Sequence, residues 1–187
     1  MLKHLDEYRK FLEITGFQCG KIGVAKAFVD SICRELPKGV EVQLFDAYLV
    51  ASWEHLYFAA LNACAAFQTG RGISKNIAVE TALYASSRRQ IKRALEFIGV
   101  KPDTCSVAVL VLGADAASVK TALSMVTKRF GSEPEESILE LSEEKKRIIR
   151  SAFAISNAEL EAVSAADPDR GLVDLVIERV ALLSTAL

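Results

Sequence analysis

From residue 10 to residue 18 apolar and polar side chains alternate, and the run is rich in β-formers, which predicts a first strand. Gly20 and Gly23 break it. Ala25, Phe28, Val29, Ile32 and Leu36 then recur at helical spacing, which predicts a helix over 24–36 that Pro37 and Gly39 stop. Residues 40–45 read as a second strand. A helix over 53–67 follows, with Ser52 as its N-cap and Glu54 in the favourable first turn. Between Leu56 and Phe67 its only polar side chains are Tyr57, through the hydroxyl, and Asn62. A helix apolar all round is expected to be buried, and Ala59, Ala60, Ala63, Ala65 and Ala66 let neighbours approach closely. This is the expected central helix.

After a loop at 70–72, helices are predicted over 76–85 and 88–98, the second ended by Gly99 and Pro102. The unbroken apolar run 106–112 predicts a central strand. Residues 115–130 predict a helix with Val119, Leu123, Val126 and Phe130 inward, and 137–141 a short strand. Ser142 caps a helix running to about 153. Asp167, Pro168 and Asp169 open the last helix, with proline near its preferred first position. Residues 131–136 and 165–170 read as surface loops, and no internal repeat is visible. The pattern predicts a single α+β domain over 1–187. Its sheet is small, mixed and mostly antiparallel, of about four strands, with helices on at least one face.

Composition narrows the class. The chain has 187 residues, 51% hydrophobic and 25% charged, within the range of soluble globular proteins. No apolar run approaches the roughly 20 residues of a membrane span. The start, Met1 to Glu7, does not read as a signal peptide, so a cytoplasmic protein is expected. Cys19, Cys33, Cys64 and Cys105 are spaced widely and form no Cys-x-x-Cys pair, which predicts reduced thiols, no metal site and no cofactor.

Two motifs fail on inspection. Residues 16–22 resemble a phosphate loop, but the spacing is one residue short and Ile22 stands where a Ser or Thr must bind Mg²⁺. Gly70 and Gly72 lack the third glycine of a dinucleotide-binding turn. His55 and Cys64 lie on one predicted helix, nine residues or about 13 Å apart, too far for a nucleophile–base bond. A transferase or hydrolase using Cys and His stays open as the alternative class.

The net charge of −1 makes a nonspecific nucleic-acid coat unlike this chain, so any such contact needs a local patch. One exists. Arg88, Arg89, Lys92 and Arg93 crowd the start of the predicted 88–98 helix, with Arg71 and Lys75 upstream and Glu80 as the one acid between Arg71 and Arg93. Placed at i, i+4 and at a helix N-terminus, these like charges oppose the helix by a few tenths of a kcal/mol each. A solvated face and an anion site are both consistent with the pattern. With Tyr57 and Tyr84 available for stacking, single-stranded RNA would suit the second reading. In the last helix, Leu172, Val173, Val176, Ile177, Val180 and Leu183 form a core stripe, and Leu175 and Leu182 fall outside it. Docking of a partner and burial within the chain both account for the excess.

Several blocks then carry a resemblance. Residues 46–56, 73–76 with Glu80 and Leu83, 85–91, 98–100, 138–141 leading to 146–150, and 177–183 are similar to the small subunit of the KEOPS complex, the PRPK-binding-protein (TPRKB) family, in its archaeal type. The most specific block is Ala85-Ser86-Ser87-Arg88-Arg89-Gln90-Ile91, although the family usually has Gly where Ser87 stands. The first 39 residues match weakly. The resemblance implies a non-catalytic subunit acting in threonylcarbamoyladenosine modification of tRNA. Such a subunit binds the kinase-like ATPase of the complex and captures tRNA by its 3′ CCA end; a protein-only scaffold is the further alternative. On this reading tRNA meets Arg71, Lys75, Arg88, Arg89, Lys92 and Arg93, with His55 and Tyr84. The ATPase docks on Leu172, Leu175, Val176, Arg179, Leu182 and Leu183.

Overall fold

A computed structural model describes residues 2–20, 22, 25–163 and 167–185. Four strands form one sheet: β1 (Leu2–Leu5), β2 (Lys10–Gln18), β3 (Glu41–Asp46) and β4 (Ser106–Gly113). Their order is β1-β2-β4-β3, and every pair is antiparallel. The expected mixed sheet is therefore purely antiparallel among the described residues. The helices are α1 (Ala25–Cys33), α2 (Trp53–Gln68), α3 (Ile77–Ala85), α4 (Ile91–Ile98), α5 (Ala116–Phe130), α6 (Glu143–Ala152), α7 (Asn157–Val163) and α8 (Pro168–Leu182).

Both faces of the sheet are covered. Leu12 and Ile14 of β2 and Ala108, Leu110 and Leu112 of β4 pack against the alanine face of α2. Phe17, Val107, Val109, Val111, Val42 and Leu44 turn the other way, toward α1 and α5, where Phe17 stacks on Phe130 with ring centroids 4.7 Å apart. β4 is buried along nearly its whole length, as its unbroken apolar run requires. Polar side chains start the helices. Ser52, Asn76, Asp115, Ser142 and Asp167 each accept a backbone N–H from the first turn of α2, α3, α5, α6 and α8.

Three features depart from the pattern reading. β1 is too short to announce itself and pairs with β2 at the sheet edge. The expected strand at 137–141 is a 3-10 turn over Glu136–Leu139. It packs flat on β2 at Gly16, where the Glu135 N–H donates to the Gly16 carbonyl at 2.8 Å. Residues 157–163, where the pattern predicts no element, form α7. Gly23 and Val24, at the expected start of the first helix, and residues 165–166 of the expected loop lie outside the described residues.

Gly16 makes the turn's seat possible. A Cβ there would stand 2.5 Å from Ile138 Cβ and 2.7 Å from the Glu135 carbonyl oxygen. Since the second contact is backbone, Gly16→Ala is expected to lower stability by about 1–3 kcal/mol. Urea denaturation checks this, and an unchanged midpoint would show that the turn does not depend on that contact.

Candidate functional site

The α3–α4 corner is built from both ends of α3. Asn76 caps its start, and the Ala78 N–H donates to Glu41 Oε2 of β3 at 2.9 Å. Glu80, the lone acid of the basic region, points inward and accepts the Ser74 N–H at 2.7 Å. At the other end Ser86 caps the helix and Ser87 takes the left-handed conformation, with φ of 53°. The Arg88 N–H closes back on the Leu83 carbonyl, the hydrogen-bond pattern of a helix end that usually uses Gly. Serine therefore occupies a turn that commonly takes glycine, at some cost in backbone strain.

His55 locks α3 to α2. It is fully buried. Its Nδ1 accepts the Ala51 N–H at 3.2 Å, and its Nε2 donates to the Ala85 carbonyl at 2.9 Å. The Nδ1 bond requires the neutral ring, because a protonated Nδ1 cannot accept. Burial, with Lys145 nearby, holds the imidazole pKa down to about 4. Lys145 is itself buried, donates to the Ile138 carbonyl, and is pushed down to about 8 by burial. His55 is therefore structural and not presented to a ligand. Tyr84 is buried too, and burial raises its phenol pKa. Neither ring is available for base stacking, which corrects the expectation for both residues.

The basic residues divide into two groups. α4 begins at Ile91, not at residue 88, so Arg88 and Arg89 precede it and the supposed helical pairs with Lys92 and Arg93 do not form. Arg88 folds back. Its guanidinium lies 3.4 Å from the Phe97 ring centroid, and Nη1 donates to the Ser86 carbonyl at 2.6 Å. Half-buried in this way, it braces the corner. Arg89, Lys92 and Arg93 are exposed, and Lys92 stands 3.8 Å from Glu96. α4 has two cations and no acid in its first turn, and its N-cap Gln90 makes no side-chain cap bond. Arg71 and Lys75, also exposed, lie at the opposite end of α3, about 12 Å away at 1.5 Å per residue.

The proposed partner-binding residues also divide. Leu172, Leu175 and Val176 are buried in the cluster that joins α8 to Ile149 and Phe153. Leu175 falls inside because α8 is covered on two sides, by α2 and by α6 and α7, so its apolar stripe is wider than one face. The first helix does not cover α8, for α1 packs on the opposite face of the sheet. Arg179 is tied to the Phe153 carbonyl and to Glu159, and Leu183 packs half-buried against the α2 cluster. Leu182 alone of the set is an exposed apolar side chain, at 51%.

Pattern reasoning missed the outer strip of α2. Trp53 and Phe58 are each 37% exposed, and Tyr57 touches both edge-on, at 5.8 and 5.5 Å between ring centroids. The all-round apolar reading of α2 hid them. The buried alanines mark the inner face, so the aromatics opposite them were the available signal. Trp53 also lines an open cleft of about 550 Å³ where the first turns of α2 and α8 meet, with Arg170 and Glu54 paired at its rim.

The Cys–His alternative finds no support in this arrangement. His55 has both nitrogens engaged, and burial pushes the Cys64 thiol up to about 11. Among the described residues no cluster of His, Cys, Asp or Glu could hold a metal ion, and no helix is long and apolar enough to cross a membrane.

Sequence comparison places this geometry in a class. Residues 25–184 match the family described as kinase binding protein CGI-121, and the chain belongs to that family. Among characterised proteins it is similar to the regulatory protein Cgi121 of Methanocaldococcus jannaschii, with 28% identity over 145 residues, covering 78% of this chain and 84% of that protein.

The buried imidazole has a consequence for stability. Its folded pKa of about 4 lies below the ordinary 6.5, so the unfolded chain binds the proton first. The contribution is complete above pH 6.5 and is lost as pH falls toward 4, at about 1.4 kcal/mol per pH unit. Unfolding free energies of the wild type and of His55→Gln, measured between pH 7 and 4.5, should therefore converge as pH falls. A constant difference would mean that the ring is not held neutral.

Proposed function

We propose that this chain is the non-catalytic KEOPS subunit that docks the kinase-like ATPase and brings tRNA to it for threonylcarbamoyladenosine formation. Membership of a family described by kinase binding, over residues 25–184, is the observation that carries the reading. Exposed apolar side chains of the kind a partner covers accompany it, in two separate places. Leu182 stands exposed near the end of α8, and Trp53 and Phe58 stand exposed on α2, which packs against α8. The tRNA half of the proposal is supported by Arg89, Lys92 and Arg93, grouped at a helix start with no acid of its own. Arg71 and Lys75 extend the surface at the far end of α3. A single-stranded 3′ CCA end is the part of tRNA that the family resemblance implies.

Leu182→Arg tests the docking half. Half-exposed, the residue contributes little to the isolated fold, so the unfolding midpoint should hold. Affinity for the ATPase should fall about 10- to 100-fold, the equivalent of losing one buried leucine. A variant that folds and still binds tightly would place the docking surface elsewhere.

Charge reversal at Arg89, Lys92 and Arg93 tests the tRNA half; Arg88 is spared because it braces the corner. Binding of tRNA should weaken, and the slope of log affinity against log salt should flatten by about 0.7 for each single-strand phosphate no longer neutralised. Removing the terminal CCA should cost most of the affinity. Unchanged binding at several salt concentrations would leave a protein-only scaffold, and equal affinity for trimmed and intact tRNA would refute recognition of the end.

A further inference from the structure

β2 and β4 are in register from Phe11 opposite Gly113 to Gln18 opposite Ser106. One rung further, the same register sets Cys19 opposite Cys105, and the Cys19 N–H donates to the Cys105 carbonyl at 2.8 Å. Side chains alternate along a strand, so both thiols emerge on the face of Phe17 and Val107. Both cysteines are free and half-buried. Cys19 Sγ lies 3.4 Å from the Cys105 carbonyl oxygen, and Cys105 Sγ lies 3.3 Å from that of Asp103, so both sulfurs sit over the same three-residue segment.

We propose that Cys19 and Cys105 form a reversible cross-strand disulfide that clasps the open end of the β2–β4 ladder. Cys19 and Cys105 keep one of the two backbone bonds of a hydrogen-bonded pair, for which the Cα atoms stand about 5.5 Å apart, inside the bridgeable range of about 4.4–6.8 Å. Their Cβ atoms, at about 4.5–5.5 Å, stand wider than the disulfide mean of about 3.8 Å, so the rung must pinch. Pinching strains the bond, and strained disulfides are the more readily reduced ones. It also falls on the last rung, where it disturbs least of the ladder. The geometry therefore describes a bond that opens and closes, not a permanent staple.

The oxidant is a low-molecular-weight disulfide. Cys105, whose thiol meets the Asp103 carbonyl at the surface, loses its proton to solvent and attacks one sulfur of the oxidant. The oxidant's S–S bond breaks, one small thiolate leaves and takes a proton, and a mixed disulfide remains on Cys105. Cys19, whose thiol pKa is raised by burial and then by Cys105, resolves it. Its thiolate attacks the Cys105 sulfur, the protein disulfide forms, and the second small thiol departs. Two protein thiols are oxidised, and one small disulfide is reduced to two thiols.

The test uses the full chain incubated with oxidised glutathione, quenched by alkylation and analysed by intact mass and peptide mapping. The expected product is a monomer lighter by two hydrogens, with the Cys19 and Cys105 peptides linked. The link should persist in Cys33→Ser and Cys64→Ala. It should vanish in Cys19→Ser, which should stop at a glutathione adduct on Cys105, and excess reduced glutathione should reopen it in the wild type. Stable adducts without a link in the wild type, a link through Cys33, or a covalent dimer would overturn the proposal. A link that survives excess reduced glutathione would overturn its reversibility.

Discussion

The pairing of β2 with β4 holds the two halves of this molecule together. Both strands are buried on both faces along most of their length, and each face belongs to a different core. A slip of one residue would exchange every side chain between the two. Phe17 would leave its stack on Phe130, and Gly16 would no longer stand where the 136–139 turn needs an absent Cβ. The register is thus fixed by several fits at once, and the edge strands β1 and β3 attach to a pair already determined.

Much of this was legible in the chain. β2, β3 and β4, and α2, α3, α5, α6 and α8, announce themselves because each is long enough for its period to show and most of these helices begin on a capping side chain. β1, with four residues, and α7, with seven, are too short for a period to register. The misread segment at 137–141 is instructive. Ile138, Leu139 and Leu141 have the composition of a strand, but backbone bonding decides the matter. β1 covers only Lys10–Glu13 of β2, and beyond it the segment makes a backbone bond to Gly16 through Glu135 and then turns instead of running on as a strand.

The surfaces were harder to read for a different reason. Periodicity says which residues share a face, not which face meets the sheet. His55 and Tyr84 looked like polar rings available for contact, but α2 and α3 turn them inward to join the helices or fill the core. Arg88 looked like one more surface charge, yet Phe97 offers its guanidinium a ring to lie on. Leu175 falls outside any single stripe, whereas α8 is enclosed from two directions. The exposed residues, Arg89, Lys92, Arg93 and Leu182 together with Trp53 and Phe58, are those that none of these contacts claims.

The two exposed cationic groups are separated by α3 itself, and α3 is fastened at each end: at its start to the carboxylate of Glu41 in the sheet, at its finish to the imidazole of His55. It cannot shorten or swing without breaking one of these attachments. The helix therefore works as a caliper with a fixed opening. A single small anion can satisfy one jaw only, and a compact ligand gains nothing from the other. An extended, flexible polyanion is long enough to span both, so on the proposed tRNA reading the spacing would select by length.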